Sequence, residues 1–331
     1  MNCKYLSLIG GLFAIASVNF CQAQESPNVL VIIADDLGVD FLDGFGVDGN
    51  NTETPVIDSL RNNGITFLNT WATPQCTPTR AAIMSGKYGV KTGVTQVPGN
   101  LDLEHQSIFS NLNENAPDDY TTAVIGKWHI SNPVDVTHPF QHGLSHYEGV
   151  INGTIDDYYL WPKTENGEIN DVDEYVTTHF TNSAIDWISQ QNQPWLMFLS
   201  HIAPHSPFQV PPDGLYSVGS PDTDRRRYRA TIEAMDHEIG RLIQSMSEET
   251  RNNTVIIFIG DNGTPGAVGQ YYPTGHFKGS LYEGGIRVPM VISGAGVTRI
   301  GEVESGLTQA ADIHATILEL AQIDLNGGIH N

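Results

Sequence analysis

The chain alternates between short, continuously apolar runs and longer segments whose apolar residues are spaced as in helices. The apolar runs are rich in β-branched residues, which is typical of strands buried on both faces of a parallel sheet. Four strong runs and two weaker ones predict six strands, at residues 28–34, 65–69, 120–126, 195–200, 254–260 and 288–293.

The segments between these runs predict helices. Strands that alternate with helices indicate an α/β protein. With 331 residues, the chain is long enough for one large α/β domain with a sizeable core. The predicted helices lie at residues 54–60, 108–112, 172–189, 224–246 and 309–320.

Oxygen-bearing side chains follow two of the predicted strands. Asp35 and Asp36 come directly after the first strand, and Asp261 and Asn262 follow the run that ends at Gly260. Because ligands collect at the carboxyl ends of strands in open α/β sheets, these side chains predict a site. Oxygen ligands suit a hard cation, Ca2+ or Mg2+. The alternative is that the Asp residues belong to ordinary solvated turns.

Lys127 and His129 follow the strand predicted at residues 120–126. A lysine amine binds anionic oxygens as a compact point charge, and an imidazole moves protons near neutral pH. This pair therefore predicts anion binding and acid–base chemistry. Exposure of both side chains at the surface is the alternative.

Cys76 lies in a stretch that predicts the entrance of a helix. Thr77 can cap the helix and Pro78 suits its first position, so Cys76 is expected just outside the N-terminus. That end favours an anion, and Arg80 in the first turn adds a two-pronged donor. The stretch therefore predicts a nucleophile held beside a developing negative charge. A small buried cysteine without chemistry is the alternative.

The first 24 residues have the pattern of a secretory signal peptide. Lys4 precedes an apolar run that is too short to span a bilayer, and small residues end the segment. Cleavage would remove Cys3 and Cys21 and leave Cys76 as the sole cysteine, so no intramolecular disulfide is expected. We predict a periplasmic or secreted domain at residues 25–331, without membrane insertion.

The composition is strongly acidic. The sequence has 38 acidic and 16 basic side chains, a formal net charge of −22. This charge argues against nucleic acid or an anionic membrane as a partner. If the substrate is an anion, the few cationic side chains must be concentrated where the chemistry occurs.

Two further polar clusters carry weaker predictions. His138, His142 and His146 could suggest a metal site, but Pro139 and Gly143 interrupt their spacing, and local hydrogen bonds are the expected use of these histidines. The basic run at residues 225–227 opens a predicted helix and is expected to be a solvated face.

The motif Cys76-x-Pro78-x-Arg80 resembles the centre of the formylglycine-dependent, or type I, sulfatases of the alkaline-phosphatase-like superfamily. The resemblance covers nearly all of the chain after the signal peptide, with departures at Gln75, Ser85 and Asp119. It also rests on the remaining motifs, which are Asp35-Asp36, Lys127-Trp128-His129, Ala203-Pro204-His205-Ser206-Pro207, Asp261-Asn262 and the segment around Lys278.

The resemblance implies a sulfatase with a three-layer α/β/α sandwich around a large, mostly parallel, mixed sheet. The small C-terminal subdomain usual in that family is not expected here. Cys76 would be oxidised to formylglycine (3-oxoalanine) by a dedicated formylglycine-generating enzyme. By the same resemblance, Ca2+ or Mg2+ would be bound by Asp35, Asp36, the modified Cys76, Asp261 and Asn262, and the catalytic residues would be Cys76, Arg80, Lys127, His129, His205 and Lys278.

The expected substrate is a sulfated carbohydrate, since residues 138–161 are rich in aromatic and histidine side chains that suit sugars. Aryl sulfates are expected to react as well, because a good leaving group needs little help from a general acid. Two alternatives stay open from the sequence. One is a phosphodiesterase or phosphonate monoester hydrolase of the same superfamily, and the other is a non-catalytic, secreted, glycan-binding remnant.

Overall fold

The structure is a computed structural model that describes residues 26–47, 52–165 and 167–324. The predicted signal peptide, with Cys3 and Cys21, lies outside the described residues. Ten strands form one mixed sheet in the order β10-β2-β9-β8-β1-β7-β3-β4-β5-β6. The strands are β1 Asn28–Ala34, β2 Gly64–Trp71, β3 Thr121–Lys127, β4 His146–Val150, β5 Trp161–Glu165, β6 Glu168–Val172, β7 Trp195–Ser200, β8 Thr254–Gly260, β9 Arg287–Gly294 and β10 Glu302–Gln309.

Helices flank the sheet in the described part of the chain, and a single 3-10 turn, Val39–Phe41, follows β1. The helices are α1 Pro55–Asn62, α2 Cys76–Ser85, α3 Gly89–Thr92, α4 Ile108–Asn115, α5 His138–Gln141, α6 Val176–Ser189, α7 Asp224–Ser245, α8 Glu248–Asn252, α9 Glu283–Ile286 and α10 Asp312–Leu320.

The apolar strand β1 lies at the centre of the sheet and divides the core in two. Its side chains alternate between the faces, as the twofold period of a strand requires. Leu30 and Ile32 pack in one buried cluster with residues of α6 and α7. Val29, Val31 and Ile33 pack in the other, with residues of α2, α4 and α10. The two clusters make a three-layer α/β/α sandwich, so the predicted fold class is confirmed.

The sheet is parallel at its centre and antiparallel nearer its edges. β1 pairs in parallel with β7 and β8, and β3 pairs in parallel with β7 and β4. β9 runs antiparallel between β2 and β8, and β5 runs antiparallel between β4 and β6. The mostly parallel, mixed sheet is therefore confirmed, although β1 and β2, which are consecutive along the chain, are not neighbours in the sheet.

Two predicted helix starts are wrong because polar strands precede the helices. The helix predicted at residues 172–189 begins at Val176, since Val172 ends β6 and pairs with Trp161 of β5. The helix predicted from residue 309 begins at Asp312, because Gln309 still pairs with Trp71 of β2. Strands β6 and β10 are largely exposed, so they lack the apolar pattern that identifies a buried strand.

The N-terminus of α1 is capped by a side chain from α7. The carboxylate of Asp236 accepts hydrogen bonds from the backbone N–H groups of Val56, at 3.0 Å, and Ile57, at 2.8 Å. These two hydrogen bonds join segments that are about 180 positions apart in sequence. Among the described helices, none is both long enough and apolar enough to cross a bilayer.

Candidate active site

Four neighbouring strands end at the same level of the sheet and deliver polar side chains to one place. Ala34 of β1 is in register with Gly260 of β8, and Gly126 of β3 is in register with Ser200 of β7. The residues that follow these positions are Asp35 and Asp36, Asp261 and Asn262, and Lys127 and His129. The structure thus brings together the groups that the sequence placed after separate strands.

Cys76 reaches this place from α2 and not from the preceding turn. The helix begins at Cys76 itself, with extended backbone at Gln75, so the predicted N-cap role of Thr77 and first-position role of Pro78 are wrong. The entrance is instead held by a pair of threonines. The hydroxyl of Thr79 accepts from Thr73 N at 3.0 Å, and Thr73 Oγ1 donates to Gln75 O at 2.7 Å.

Three buried carboxylates face each other at the strand ends. Ligand atoms of Asp35, Cys76 and Asp261 lie within 4.8 Å of one another, and so do those of Asp35, Asp36 and His205. Asp36 N also donates to Asp261 Oδ1 at 3.0 Å, which fixes the two loops together.

The hydrogen bonding of this cluster, apart from its sequence motif, fits a hard cation. Among the described residues, Asp35 Oδ1 and Asn262 Oδ1 are buried and accept no hydrogen bond. A buried oxygen without a donor is costly, and a cation would satisfy it. The amide of Asn262 is already oriented by its Nδ2, which donates to Asp36 Oδ1 at 2.8 Å. Carboxylate and amide oxygens are ligands that Ca2+ and Mg2+ prefer.

Each carboxylate has a cationic partner. Lys127 Nζ contacts Asp35 Oδ2, and Lys278 Nζ contacts Asp36 Oδ1. Burial disfavours a charged amine at Lys278, but Asp36 and Asp35 outweigh that effect and raise its pKa. Burial likewise works against ionised Asp35, yet Lys127 and the other nearby cations lower its pKa. The site therefore keeps cationic amines beside the oxygens that would hold a metal.

The guanidinium of Arg80 is buried and anchors the third carboxylate. Its Nε donates to Asp261 Oδ2 at 3.0 Å, and its Nη2 lies 2.8 Å from the same oxygen. Its Nη1 donates to Lys127 O at 3.1 Å and contacts the hydroxyl of Ser200. Arg80 thus links α2 to three strand ends. Contact of Arg80 with a substrate oxyanion stays a prediction.

Burial raises the pKa of two further groups at the site, the carboxylate of Asp261 and the thiol of Cys76. Burial, followed by the negative charge of Asp35, raises the pKa of Asp261. Burial raises the pKa of the Cys76 thiol as well, so the unmodified side chain is a neutral thiol and not a thiolate nucleophile.

His129 lies against Cys76 with its Nδ1 3.4 Å from Sγ. Burial lowers the pKa of His129 to about 2, and the positive charges of Lys127 and Arg80 act in the same direction. A neutral imidazole at this place has one nitrogen free to accept a proton. The thiol of Cys76 and His129 Nδ1 lie within hydrogen-bonding distance, and the tautomer of the ring determines which of them donates.

The backbone is held in an unusual conformation at two site residues. Asp36 and His129 have φ of 70° and 56°, a region that side-chain-bearing residues adopt rarely and at a cost of about 1–3 kcal/mol. Gly153 closes over His129, since a Cβ built there would lie 2.5 Å from His129 Cδ2 and nearer still to Nε2 and Cε1. Such strain is found where structure fixes a side chain for chemistry.

His205 borders the cation cluster from the loop after β7. Its Nε2 lies 3.6 Å from Asp36 Oδ2, and its Nδ1 lies 2.6 Å from the carbonyl oxygen of Ser206. Because a carbonyl only accepts, Nδ1 carries a proton and Nε2 faces the site. Buried Tyr158 fixes this loop by donating from its hydroxyl to His205 O at 2.6 Å.

Several supporting residues lack a sequence signal. Ser200 donates to Lys127 O at 2.8 Å. Thr264 accepts from Gly38 N at 3.2 Å, donates from its hydroxyl to buried Asp40, and accepts from Lys278 N through its carbonyl at 3.0 Å. The apolar runs identify the strand ends, but only the folded chain shows that these small polar residues connect them.

The histidine cluster and the basic run at residues 225–227 lie outside this site. His138 Nε2 and His142 Nε2 lie 3.0 and 3.2 Å from Leu101 O, and Trp128 Nε1 donates to His138 Nδ1 at 3.1 Å. The predicted hydrogen-bonding use of these histidines is confirmed. Arg226 is exposed and pairs with Asp222 at 2.7 Å, as expected for a solvated face.

Comparison with known proteins adds an independent finding. A family model described as Sulfatase matches residues 27–323. Arylsulfatase J of Mus musculus is 28% identical over 324 residues, which are 90% of this chain and 53% of that protein. N-acetylgalactosamine-6-sulfatase of Sus scrofa is 25% identical over 359 residues, 95% of this chain and 66% of that protein. The chain thus spans about half the length of arylsulfatase J.

Among solved structures, Ps i-CgsB in complex with k-i-k-neocarrahexaose is similar to this chain. Its TM-score is 0.81 with 27% sequence identity, and the match covers 92% of this chain and 74% of that one.

Proposed function

Because the chain belongs to the sulfatase family, we propose that it hydrolyses the sulfate esters of a carbohydrate and also accepts aryl sulfates. One observation carries the proposal: buried Cys76 lies at the start of α2, with its sulfur within 4.8 Å of carboxylate oxygens of Asp35 and Asp261. Similarity to an arylsulfatase and to an N-acetylgalactosamine-6-sulfatase supports sulfate ester hydrolysis. The hexaose bound by Ps i-CgsB supports a carbohydrate substrate.

We propose that Cys76 acts after conversion to formylglycine by a maturing enzyme. Its raised pKa supports this, since a buried neutral thiol is a poor nucleophile. A bound Ca2+ or Mg2+ and the hydrated aldehyde would together supply a polarised oxygen nucleophile. Asp35, Asp36, Asp261 and Asn262 would hold the cation, with the modified residue 76 beside them.

Three cations prepare the site for a sulfate group. Lys127 and Lys278 contact the carboxylates that would hold the metal, so their amines lie at its border. We propose that these amines bind the non-bridging sulfate oxygens. Fixed positive groups stabilise the charge that develops on those oxygens without reorganisation. Arg80 would orient Asp261 and the backbone of Lys127 for the same purpose.

His129 is assigned the role of general base. Its pKa of about 2 keeps the imidazole neutral at the pH of most enzyme assays, and its Nδ1 already faces the side chain of residue 76. It would remove a hydroxyl proton from that residue when sulfate is released, which restores the aldehyde.

His205 is assigned the role of general acid for the leaving oxygen. The proton on Nδ1 is hydrogen-bonded to Ser206 O. A proton on Nε2 would therefore be the one that His205 donates to the leaving oxygen. A His205→Ala variant should lose much more activity on a sugar sulfate than on an aryl sulfate, whose leaving group needs little protonation. Equal losses on both esters would remove His205 from the acid role.

Export through a cleaved signal peptide at residues 1–24 completes the proposal. The protein would then act in the periplasm or outside the cell, in the degradation of sulfated polysaccharide. Sequencing the N-terminus of protein purified from the host medium and periplasm tests this directly. An N-terminus at Met1 in a cytoplasmic fraction would refute it.

The central experiment measures the conversion of Cys76 and the release of sulfate in the same protein. The chain is coexpressed with a formylglycine-generating enzyme, the peptide containing residue 76 is analysed by mass spectrometry, and hydrolysis of an aryl sulfate and of k-i-k-neocarrahexaose is measured. A Cys76→Ala variant is the control. We expect conversion and sulfate release together, both absent in the variant. Converted protein that hydrolyses a phosphonate monoester, assayed beside these two substrates, but releases no sulfate would favour a phosphonate monoester hydrolase. Converted protein that is inert on every ester would favour a glycan-binding remnant.

A further inference from the structure

The loop that carries Lys278 presents aromatic rings to solvent. Tyr271 and Tyr282 are 51% and 57% exposed. The ring of Tyr282 stacks on that of His276, with centroids 3.6 Å apart and planes within 5°. We call Tyr271, His276 and Tyr282 the aromatic platform. Since His276 covers one face of Tyr282, the exposure of Tyr282 belongs to its other face and its edge.

The platform is built on a tightly packed loop. Tyr271 contacts Tyr272 at 5.1 Å between ring centroids, and Tyr272 contacts buried Phe277 at 6.2 Å. Glycines make this packing possible, because a Cβ at Gly284 would lie 2.5 Å from the ring of Tyr272. Exposed Tyr271 is therefore supported by half-buried Tyr272 and, through it, by buried Phe277. Tyr282 is supported by its stack on His276. A binding surface of fixed shape requires such support.

The platform lies close to the reacting centre. Gly279 N donates to Pro74 O at 2.8 Å, two residues before Cys76, and Lys278 Nζ contacts Asp36. Tyr282 follows Lys278 by four residues, so their Cα atoms are at most about 14 Å apart. Ser280 N donates to Phe277 O at 3.0 Å, and this turn shortens the path further. An oligosaccharide of a few sugar rings would cover this distance from a sulfate held by Lys278.

We infer that the aromatic platform is a subsite for a pyranose ring that neighbours the sulfated residue of an oligosaccharide. The inference rests on the proposed function and assigns it a specificity determinant. Aromatic faces bind the apolar face of a sugar at low entropic cost. The open face of Tyr282 supplies the main contact, and Tyr271 is a second exposed ring of the same loop.

Charge cannot supply the affinity that the platform would give. The chain has a formal net charge of −22, so it repels an anionic polymer at long range. The carboxylate of Glu283, which follows Tyr282 and has a half-exposed side chain, adds negative charge beside the platform. A sugar ring bound here is therefore held by stacking, and a ring without a sulfate of its own is favoured.

Binding is tested without turnover in a Cys76→Ala background. The dissociation constant for k-i-k-neocarrahexaose is measured by calorimetry for this parent and for added Tyr282→Leu, Tyr282→Phe and Tyr88→Leu changes. Tyr88 is the matched control, because it is 56% exposed and precedes the short helix α3. We expect Tyr282→Leu to weaken binding about tenfold, while Tyr282→Phe and Tyr88→Leu stay within about twofold.

Kinetics then separate the subsite from the chemistry. In the converted enzyme, Tyr282→Leu should lower kcat/KM for the hexaose about tenfold more than kcat/KM for a small aryl sulfate, which ends before the platform. Equal losses on both substrates would mean that the change disturbs Lys278, and would overturn the inference. Unchanged hexaose binding by Tyr282→Leu would overturn it as well.

The same data separate this inference from the proposed function. If the converted enzyme hydrolyses aryl sulfate but the Cys76→Ala parent does not bind the hexaose, the subsite is refuted and sulfate ester hydrolysis stays intact. If the Cys76→Ala parent binds the hexaose through Tyr282 but the converted enzyme hydrolyses no sulfate ester, the subsite is supported and the proposed function is refuted.

Discussion

Replacement of Gly153 by alanine should inactivate the enzyme while leaving its fold intact. The new Cβ would lie 2.5 Å from His129 Cδ2 and nearer still to Nε2 and Cε1, whereas ordinary contact begins at 3.4 Å. The imidazole must therefore move by at least 0.9 Å, the difference between these two distances. Its Nδ1 now lies 3.4 Å from the sulfur of residue 76, and this alignment would be lost.

The size of the effect follows from that shift. A misplacement of about 1 Å can reduce turnover roughly 100-fold, and loss of a general base costs about 10²–10⁴. The ring lies at the end of a side chain that can rotate, so the cost to stability is at the low end of the roughly 1–3 kcal/mol typical of overpacking. We expect kcat on an aryl sulfate to fall at least about 100-fold, with a melting temperature lowered by a few degrees.

The assay compares kcat and melting temperature for Gly153→Ala and Gly219→Ala, after mass spectrometry has shown equal conversion of Cys76. Gly219 is the matched control, since a Cβ there meets no described atom within 4 Å. Full activity in converted Gly153→Ala would show that the position of His129 is not critical, and the base assignment would fail.

Three further predictions concern charge. Alanine at Lys127 or Lys278 should lower kcat about 100-fold or more in a steady-state assay, and alanine at exposed Arg226 should leave kcat unchanged. Equal losses at all three positions would mean that the two lysines are wrongly assigned to the sulfate site. Chelation should lower both activity and melting temperature, with Asp261→Ala giving the same loss, and activity in metal-free protein verified by elemental analysis would exclude the cation. Burial lowers the pKa of His201 to about 3 in the folded protein. Because His201 in the unfolded chain binds a proton below about pH 6.5, the free energy of unfolding should fall by about 2 kcal/mol from pH 7.5 to 5 through His201 alone. Urea titrations at the two pH values should show a smaller fall for His201→Phe.

The sequence predicts the centre of this fold well because the central strands are buried on both faces. β1, β7 and β8 are continuous apolar runs, and the ends of β1 and β8 carry the oxygen ligands that the sequence identified. The position of these ligands is determined by the adjacent residues, because a carboxylate that directly follows a buried strand must lie near the rim of the sheet. Edge strands β6 and β10 were missed because exposed residues pair through backbone atoms, which no side-chain pattern records.

The finer geometry of the site depends on contacts between distant segments. Gly153 follows β4 yet limits the ring of His129, and Ser200 at the end of β7 orients Arg80 from α2. The start of α2 was predicted two residues late because Thr77 and Pro78 have strong N-terminal preferences. The hydrogen bonds of Thr73 and Thr79 determined the outcome instead.

The central position of β1 has a consequence for how the chain is made. Residues 28–34 leave the ribosome early, but their two neighbours in the sheet are residues 195–200 and 254–260. Asn28 and Thr254 are 226 positions apart, which corresponds to roughly 10–45 s of synthesis. During that time an apolar strand with two unpaired edges is exposed, and such segments aggregate. Yield during expression therefore depends on what shields the strand Asn28–Ala34 in the nascent chain, a requirement that the stability of the finished sandwich does not remove.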